Sequence, residues 1–429
     1  MKKRFISLLV IALLITGICG NTLSAENPTQ LSLNDMLEKL VNESTEIKNI
    51  GINEAILNVK HEKTIKDYEE FKERTIKEAE NTILLTKSTL DKTMSELGKN
   101  GGAAGGIIDA QLAAYRHARV TMKNNVLDYI NRLKSVEPLI LQKKQSERQK
   151  LAETEKLKYN FRKDYYDLYS TIKQLDNLKT DLDLLNKQID VEKIKKENGM
   201  STDINIEDLE KQKRDLEVNV QEVENNVEML KQTIKTKLNI DVESEISIAF
   251  VLPDYINKTE AEFKLKDALN KFTELNLEYE LQKNNENVSS EVFKAYDLAY
   301  SYNPDIEVWG PILKEDEQNN LKTAELEYEK AKNETISTKK NMDLYVNRTY
   351  FNYKKALLNL NYNLETKKLL KQKGEIIEAN YSQGLISKLQ YDTQKHDLRK
   401  KEFEVEKAII AFDQAWGQMD LVMKGIMLK

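Results

Sequence analysis

The chain of 429 residues is 32% charged and 40% hydrophobic, with only 5 prolines and 14 glycines, a composition typical of long helices and coiled coils. Its formal net charge of −5 and its lack of a basic stripe argue against nucleic acid as a partner. A single cysteine, Cys19, excludes a disulfide within the chain, so packing alone must hold the fold.

At the N-terminus, Lys2, Lys3 and Arg4 precede an apolar run from Phe5 to Ile18, then small and polar residues to Ala25. That order predicts a secretory signal peptide, residues 1–25, cut near Ser24 or Ala25. Cys19 follows Ile18, which is too large for a good lipobox, so a lipid anchor is disfavoured. Cleavage would leave a cysteine-free, acidic chain with 63 basic and 71 acidic residues, a net of −8. No later run of 18 apolar residues follows, so no transmembrane helix is expected.

The breakers then divide the chain. Pro28 precedes the first helical pattern, "LSLNDMLEKL" at 31–40, and five glycines cluster in "GKNGGAAGG" at 98–106, a loop or hinge between two helical arms. Pro138 interrupts "KSVEPLILQKK", where a helix is expected to end. The proline-free stretches Leu139–Glu197 and Ile312–Tyr381 predict single helices on the order of 90 and 100 Å long. Between them, Leu209, Leu216, Val223 and Leu230 recur every seven residues, with Ile206, Val220, Val227 and Ile234 as companions, interrupted by Lys213. This is an a/d seam facing a neighbouring helix, either in a coiled coil or on a larger bundle. "DVESEISIAFVLPDYI" at 241–256 departs from helix and reads as a small strand or an extended connector.

The chain also repeats itself. Residues 31–40 align without gaps with "FKLKDALNKF" at 263–272, an offset of 232. A second register, offset by 185, matches Tyr165-Tyr166 with Tyr350-Phe351, Leu185 with Leu370, Gly199 with Gly384 and Thr202 with Ser387. The difference between the offsets predicts an insertion in the first half at about 98–137. The expected organisation is a first helical repeat at 31–240, a connector at 241–262 and a second repeat at 263–427. The fold class is all-α, with long antiparallel coiled-coil hairpins in two tandem repeats and little or no β-structure. In "KENGMSTDINIEDLE" and "YSQGLISKLQYDTQ", glycine can close a helix in the left-handed conformation, and the hydroxyl three residues later can cap the next helix. Ser387 with Gln390 fits a capping box. Each turn also has the plainer reading of a structural αα-hairpin.

These segments together resemble the TolC-like outer-membrane efflux proteins. The resemblance rests on "LSLNDMLEKLVNESTEIK", "YSQGLISKLQ", "ENGMSTDINI", the paired mid-helix aromatics and the connector after "LNIDVESEISI", and it spans nearly all of the chain beyond the leader. It implies a tubular homotrimer serving as exit duct for an efflux or type I secretion system, with a periplasmic-type adaptor and an inner-membrane pump as partners. It assigns adaptor docking to Gly199, Thr202, Gly384 and Ser387, and places the protein in the cell envelope, in the outer membrane if the organism has one. The family closes a β-barrel whose strands need about 9–11 alternating residues each. Neither "GKNGGAAGGIIDAQLAAYRHARV" nor "SYNPDIEVWGPILK" supplies such strands. Residues 101–116 are a candidate contact for a membrane or another subunit, beside the plainer reading of a loop entering an ordinary helix.

Chemistry is absent from the pattern. His61, His117 and His396 have no second ligand three or four residues away, "GKNGGAAGG" lacks the GK[ST] ending of a P-loop, and the carboxylates are dispersed along helical faces. No metal, cofactor or catalytic residue is expected, and the protein is not read as an enzyme. The alternative to a duct is a non-conducting coiled-coil spacer or scaffold of the envelope.

Overall fold

A computed structural model describes residues 30–100, 105–260, 262–301 and 314–428. The leader 1–25, part of the glycine-rich stretch and the segment carrying Pro304 and Pro311 lie outside these residues. The first repeat begins with β1 (Gln30–Leu31), α1 (Leu33–Glu43) and α2 (Thr45–Glu70), and continues through a π-helical turn (Phe71–Thr75) into α3 (Ile76–Asn100). It then runs back along α4 (Gly105–Glu197) and, after a tight turn, up α5 (Asp203–Lys237). The connector carries β2 (Ser247–Ile248) and α6 (Ile256–Glu260). The second repeat comprises α7 (Leu265–Leu275), α8 (Leu277–Ser301), α9 (Glu315–Ser382) and α10 (Lys388–Met423).

The helix ends agree across the two registers read from the sequence. α1 and α7 begin and end at equivalent positions in the 232 register, and the residue at one equivalent position breaks each from the helix that follows. Ser44 Oγ accepts the Ile47 N–H at 3.3 Å, and its counterpart Asn276 Oδ1 accepts the Tyr279 N–H at 2.9 Å. A side-chain acceptor at this position satisfies an orphan amide of the new helix while the chain changes direction. In the 185 register, α4 and α9 end together and α5 and α10 begin together.

The helices form one layer. Near the turns its order is α5, α4, α10, α9; near the crossings it is α2 and α3, then α4, α8, α9. The seam read on α5 is its inner face: Ile206, Val227 and Ile234 are buried, and the remaining members are partly covered against α4. One core is built twice at mid-height. In the first repeat Phe161, Leu168, Val227 and Ile234 pack with Met36 and Leu40; their equivalents Val346, Tyr353, Phe412 and Met419 pack with Ala268 and Phe272. Large and small residues exchange places between the copies, so each core is filled with different pieces.

Two expectations are corrected. First, α4 does not end at Pro138 but passes through it, reaching 93 residues, about 140 Å. Pro138 and Lys134, whose carbonyl the proline deprives of its donor, are both exposed residues. Leu133 and Val136, on the opposite side, and Leu141, one turn further on, are buried. Three such side chains contribute about 5 kcal/mol or more, against about 3 kcal/mol for an interior proline, so packing wins. Second, the insertion is not confined to 98–137. α3 carries the first arm to Asn100, whereas the equivalent of Ser301 is residue 69; α4 starts at Gly105, whereas the equivalent of Glu315 is residue 130. The added length is a helical hairpin shared by both arms, and the π-helical turn sits at its root, where the Arg132 guanidinium lies 4.3 Å from the Phe71 ring centroid. The departure from helix expected at 241–256 is borne out: residues 247–248 form a strand, whose parallel partner is Gln30–Leu31. Tyr165 fastens the connector to α4, donating to the Ala249 carbonyl at 2.7 Å and accepting the Val251 N–H at 2.9 Å. Among the described residues these two-residue strands are the only β-structure, and no helix is long and apolar enough to cross a membrane.

The close of α10 makes a sharp test of packing. Gly425 has φ +74°, and a Cβ there would stand 2.5 Å from the Leu275 backbone carbon. Gly199 has φ +70° with nothing within 4 Å of such a Cβ. Gly199→Ala is therefore expected to cost about 1–2 kcal/mol from backbone conformation alone. Gly425→Ala adds a backbone clash and should cost on the order of 4 kcal/mol, read as a much larger loss in denaturant midpoint.

Candidate functional site

The two turns between α4 and α5 and between α9 and α10 share one backbone. Gly199 and Gly384 have φ +70° and +72°. The Gly199 and Met200 amides donate to Lys196 and Lys195 carbonyls at 2.9 and 2.8 Å; the Gly384 and Leu385 amides donate to Tyr381 and Asn380 at 3.0 and 2.9 Å. This double closure satisfies the orphan carbonyls of each long helix and requires a left-handed residue. The four residues singled out from sequence therefore occupy matching positions, Thr202 and Ser387 both taking the extended N-cap conformation.

Their side chains differ. Ser387 Oγ accepts the Gln390 N–H at 3.3 Å and Gln390 Oε1 accepts the Ser387 N–H at 2.9 Å, completing the capping box. Thr202 makes no side-chain cap. The first turn is tied instead by polar contacts around it: Ser201 Oγ donates to Glu192 at 2.8 Å, and Lys196 pairs with Asp203. The second is braced by stacked Tyr381 and Tyr391, with ring centroids 4.3 Å apart and the Lys388 ammonium over both faces. Tyr391 donates to Glu378 at 2.9 Å and Lys395 to the same carboxylate at 2.7 Å. The Lys395 and Tyr391 hydrogen bonds hold the Glu378 carboxyl below its ordinary range, and the bond to Glu378 pushes the Tyr391 phenol up.

Two residues escaped the sequence reading. Met200 and Leu385, each directly after its glycine, are 71% and 68% exposed. In this helix-closing motif the residue at that position commonly packs back on its own helix. Here both apolar side chains project from the turns, and exposed Ile204 adds to the first. The signal was present as a large apolar residue beside a turn glycine at equivalent places in both repeats. Ile194 and Ile376, near the ends of the two long helices, are exposed as well.

No family model matches the chain, and no curated protein matches it in sequence. Among solved structures, the chain is similar to CusC, known for transmembrane channel formation, at 9% identity over 95% of both chains with a TM-score of 0.50. It is also similar to the Campylobacter jejuni CmeC outer-membrane channel at 11% identity over 94% of this chain and 90% of that one, TM-score 0.47. The Vibrio cholerae outer-membrane protein VceC aligns at 11% identity over 73% of this chain and 74% of that one, TM-score 0.41. The fold is that of the TolC-like outer-membrane channels.

The difference between the two caps is measurable. Ser387→Ala should destabilise the α9–α10 turn by about 1 kcal/mol, seen as faster amide exchange at Gln390. Thr202→Ala should change exchange at the start of α5 by no more than a few tenths of a kcal/mol. Equal effects would show that the caps are equivalent in solution.

Proposed function

We propose that the protein is an exported, trimeric TolC-like duct of an efflux or type I secretion system, located in the cell envelope. It ends in the outer membrane where the organism has one, and its two helix turns dock an adaptor coupled to an inner-membrane pump. The observation that carries this reading is that the layer's two edges match the partnered faces inside it.

Within the chain, α8 lies on α4: Glu280 accepts from Gln145 and Arg148, each at 2.8 Å, and Glu291 from Tyr129 at 3.3 Å. Glu280, Asn284, Val288 and Glu291 share this face, spaced by four, four and three residues. Their counterparts on α2 are Lys48, Ile52, Ile56 and Val59, of which the last three are exposed. On α4, Leu141 and Tyr166 are buried along the face toward the second repeat; Tyr166 is 3% exposed and lies close enough to Asp413 of α10 to feel its charge. Their counterparts on α9 are exposed Leu326 and Phe351, the latter 62% exposed. Applying the repeat-to-repeat relation once more brings α2 and α5 of the next copy onto α9. Such a head-to-tail contact closes into a ring if the rotation permits. The exposed apolar residues along α9, including Leu344, Leu358, Leu369 and Ile376, then face a neighbour instead of water.

Met200 and Leu385 would stand at one end of that ring as the apolar contacts offered to an adaptor, with Gly199, Gly384, Thr202 and Ser387 setting the turns that present them. Light scattering and negative-stain imaging of the chain without its leader should give three copies and a hollow particle; a monomer or solid rod would refute the duct and leave an envelope spacer. Phe351→Glu removes a contact of about 1.5–3 kcal/mol per junction and adds a charge, so assembly should weaken roughly tenfold or more. Met200→Asp with Leu385→Asp should leave the particle intact and abolish transport measured by substrate accumulation in cells.

A further inference from the structure

The two helices at the edges of the layer carry opposite charge. Over the residues next to its turn, 348–382, α9 has seven basic and three acidic side chains, a net of +4. α5, of equal length, has six basic and nine acidic, a net of −3. The interior helices are nearly balanced, since α4 over 163–197 and α10 over 388–422 each come to −1. The excess lies on uncovered faces. Arg348 and Lys355 continue, at seven-residue spacing, the row of exposed Tyr362, Leu369 and Ile376, and exposed Lys368 lies beside it. Among the described residues, Lys354 is the one cation of this stretch held in an ion pair, with Glu262. On α5, exposed Asp208, Asp215 and Glu222 recur every seven residues on the side away from the buried seam.

The α4–α10 junction inside the chain has the reverse polarity. Asp181 of α4 accepts from Lys400 of α10 at 2.6 Å, and Asp183 lines a cleft with Lys388 and Lys395. In the 185 register Asp183 becomes Lys368 on α9, while Lys388, Lys395 and Lys400 become Asp203, Glu210 and Asp215 on α5. Lys187, which lies 3.5 Å from Asp392, runs the other way inside the chain; its counterpart is neutral Gln372, and that of Asp392 is Glu207. Acid again falls on the α5 side.

We propose that this reversed charge pattern selects the occupant of the uncovered α9 face: the acidic α5 of a second copy, and neither another α9 nor the lysine-bearing face by which α10 meets α4. The inference deepens the ring reading and rests on it. The apolar stripe of α9 does not select by itself, because two such stripes could meet in an isologous dimer that uses up the edge. That pairing sets a basic helix against a basic helix. Exposed ion pairs add little affinity, but like charges facing across an interface are costly, so the pattern acts chiefly by excluding wrong partners. α5 also offers exposed Val218 and Met229 to the stripe.

The contacts inside the chain set the levels of the charges between copies. Tyr169 donates to Glu406, and their counterparts are Lys354 and Gln221, which brings Lys355 to the level of Glu222. Asp183 and Asp392 share a cleft, which brings Lys368 to the level of Glu207. The test uses the full chain without its leader. Lys355→Glu with Lys368→Glu reverses the α9 edge, Glu207→Lys with Glu222→Lys reverses the α5 edge, and a fourfold variant reverses both. Sedimentation over a concentration series at low salt should show each single-edge variant assembling about tenfold or more weakly than the native chain. The fourfold variant should return to the native concentration dependence, which also shows that none of the changes prevents folding. At about 0.5 M salt the single-edge variants should regain part of their assembly, because exposed charges are screened. Native-like assembly of either single-edge variant, or no recovery in the fourfold variant, overturns the charge selection and leaves the ring. Loss and recovery in an open chain of copies would defeat the ring and keep the selection, and a native chain that stays monomeric defeats both.

Discussion

A helix of 93 residues has no means of burying itself, and everything in this molecule follows from how its long helices share their narrow apolar stripes. α4 has two covered sides, one against α2, α3 and α5 and the other against α8 and α10. It is an interior member of the layer. α9 has one side covered by α8 and α10, and its other side carries exposed apolar residues over most of its length. A single layer of this kind is stable in its middle and unsatisfied at its edges. The edge composition thus belongs to the same energetic problem as the core.

The turns show how one backbone can present two chemistries. Both use a left-handed glycine and the same pair of amide-to-carbonyl bonds. Around the second, stacked tyrosines and a capping box make a braced turn; around the first, ion pairs and hydroxyl contacts do the work, and the threonine caps nothing. The glycines are required by φ and not by crowding, since a Cβ at either would meet nothing within 4 Å. Each turn is open toward solvent on the side from which Met200 or Leu385 projects.

Much of this is legible in the sequence. The two glycine turns, the seven-residue seam on α5 and the repeat registers are local or periodic signals, and local chemistry decides them. The misreadings share a cause: each involved a weak local signal overruled by distant contacts. Pro138 reads as a break because its cost is written in the residue, while the seam that outweighs it is spread over several turns and a neighbouring helix. The insertion was placed at the glycines because they are the loudest feature there, whereas the extension is ordinary helix on both arms. The strand at 247–248 is legible as a departure from helix, whereas its partner Gln30–Leu31 is too short to announce itself. Met200 and Leu385 were passed over because an apolar residue after a turn glycine usually packs inward. Thr202 marks the limit of analogy, since its position matches Ser387 but its hydrogen bond does not.

The doubled mid-height core has a further consequence. Phe161 faces the role of Val346, Leu168 that of Tyr353 and Val227 that of Phe412, so bulk lost at one position of a copy is recovered at another. Any one of these residues transplanted into the other half would meet a hole or a collision. The halves are therefore non-interchangeable: helix boundaries agree between them while the pieces that fill each core do not, so a segment exchanged between halves would have to carry its packing partners with it.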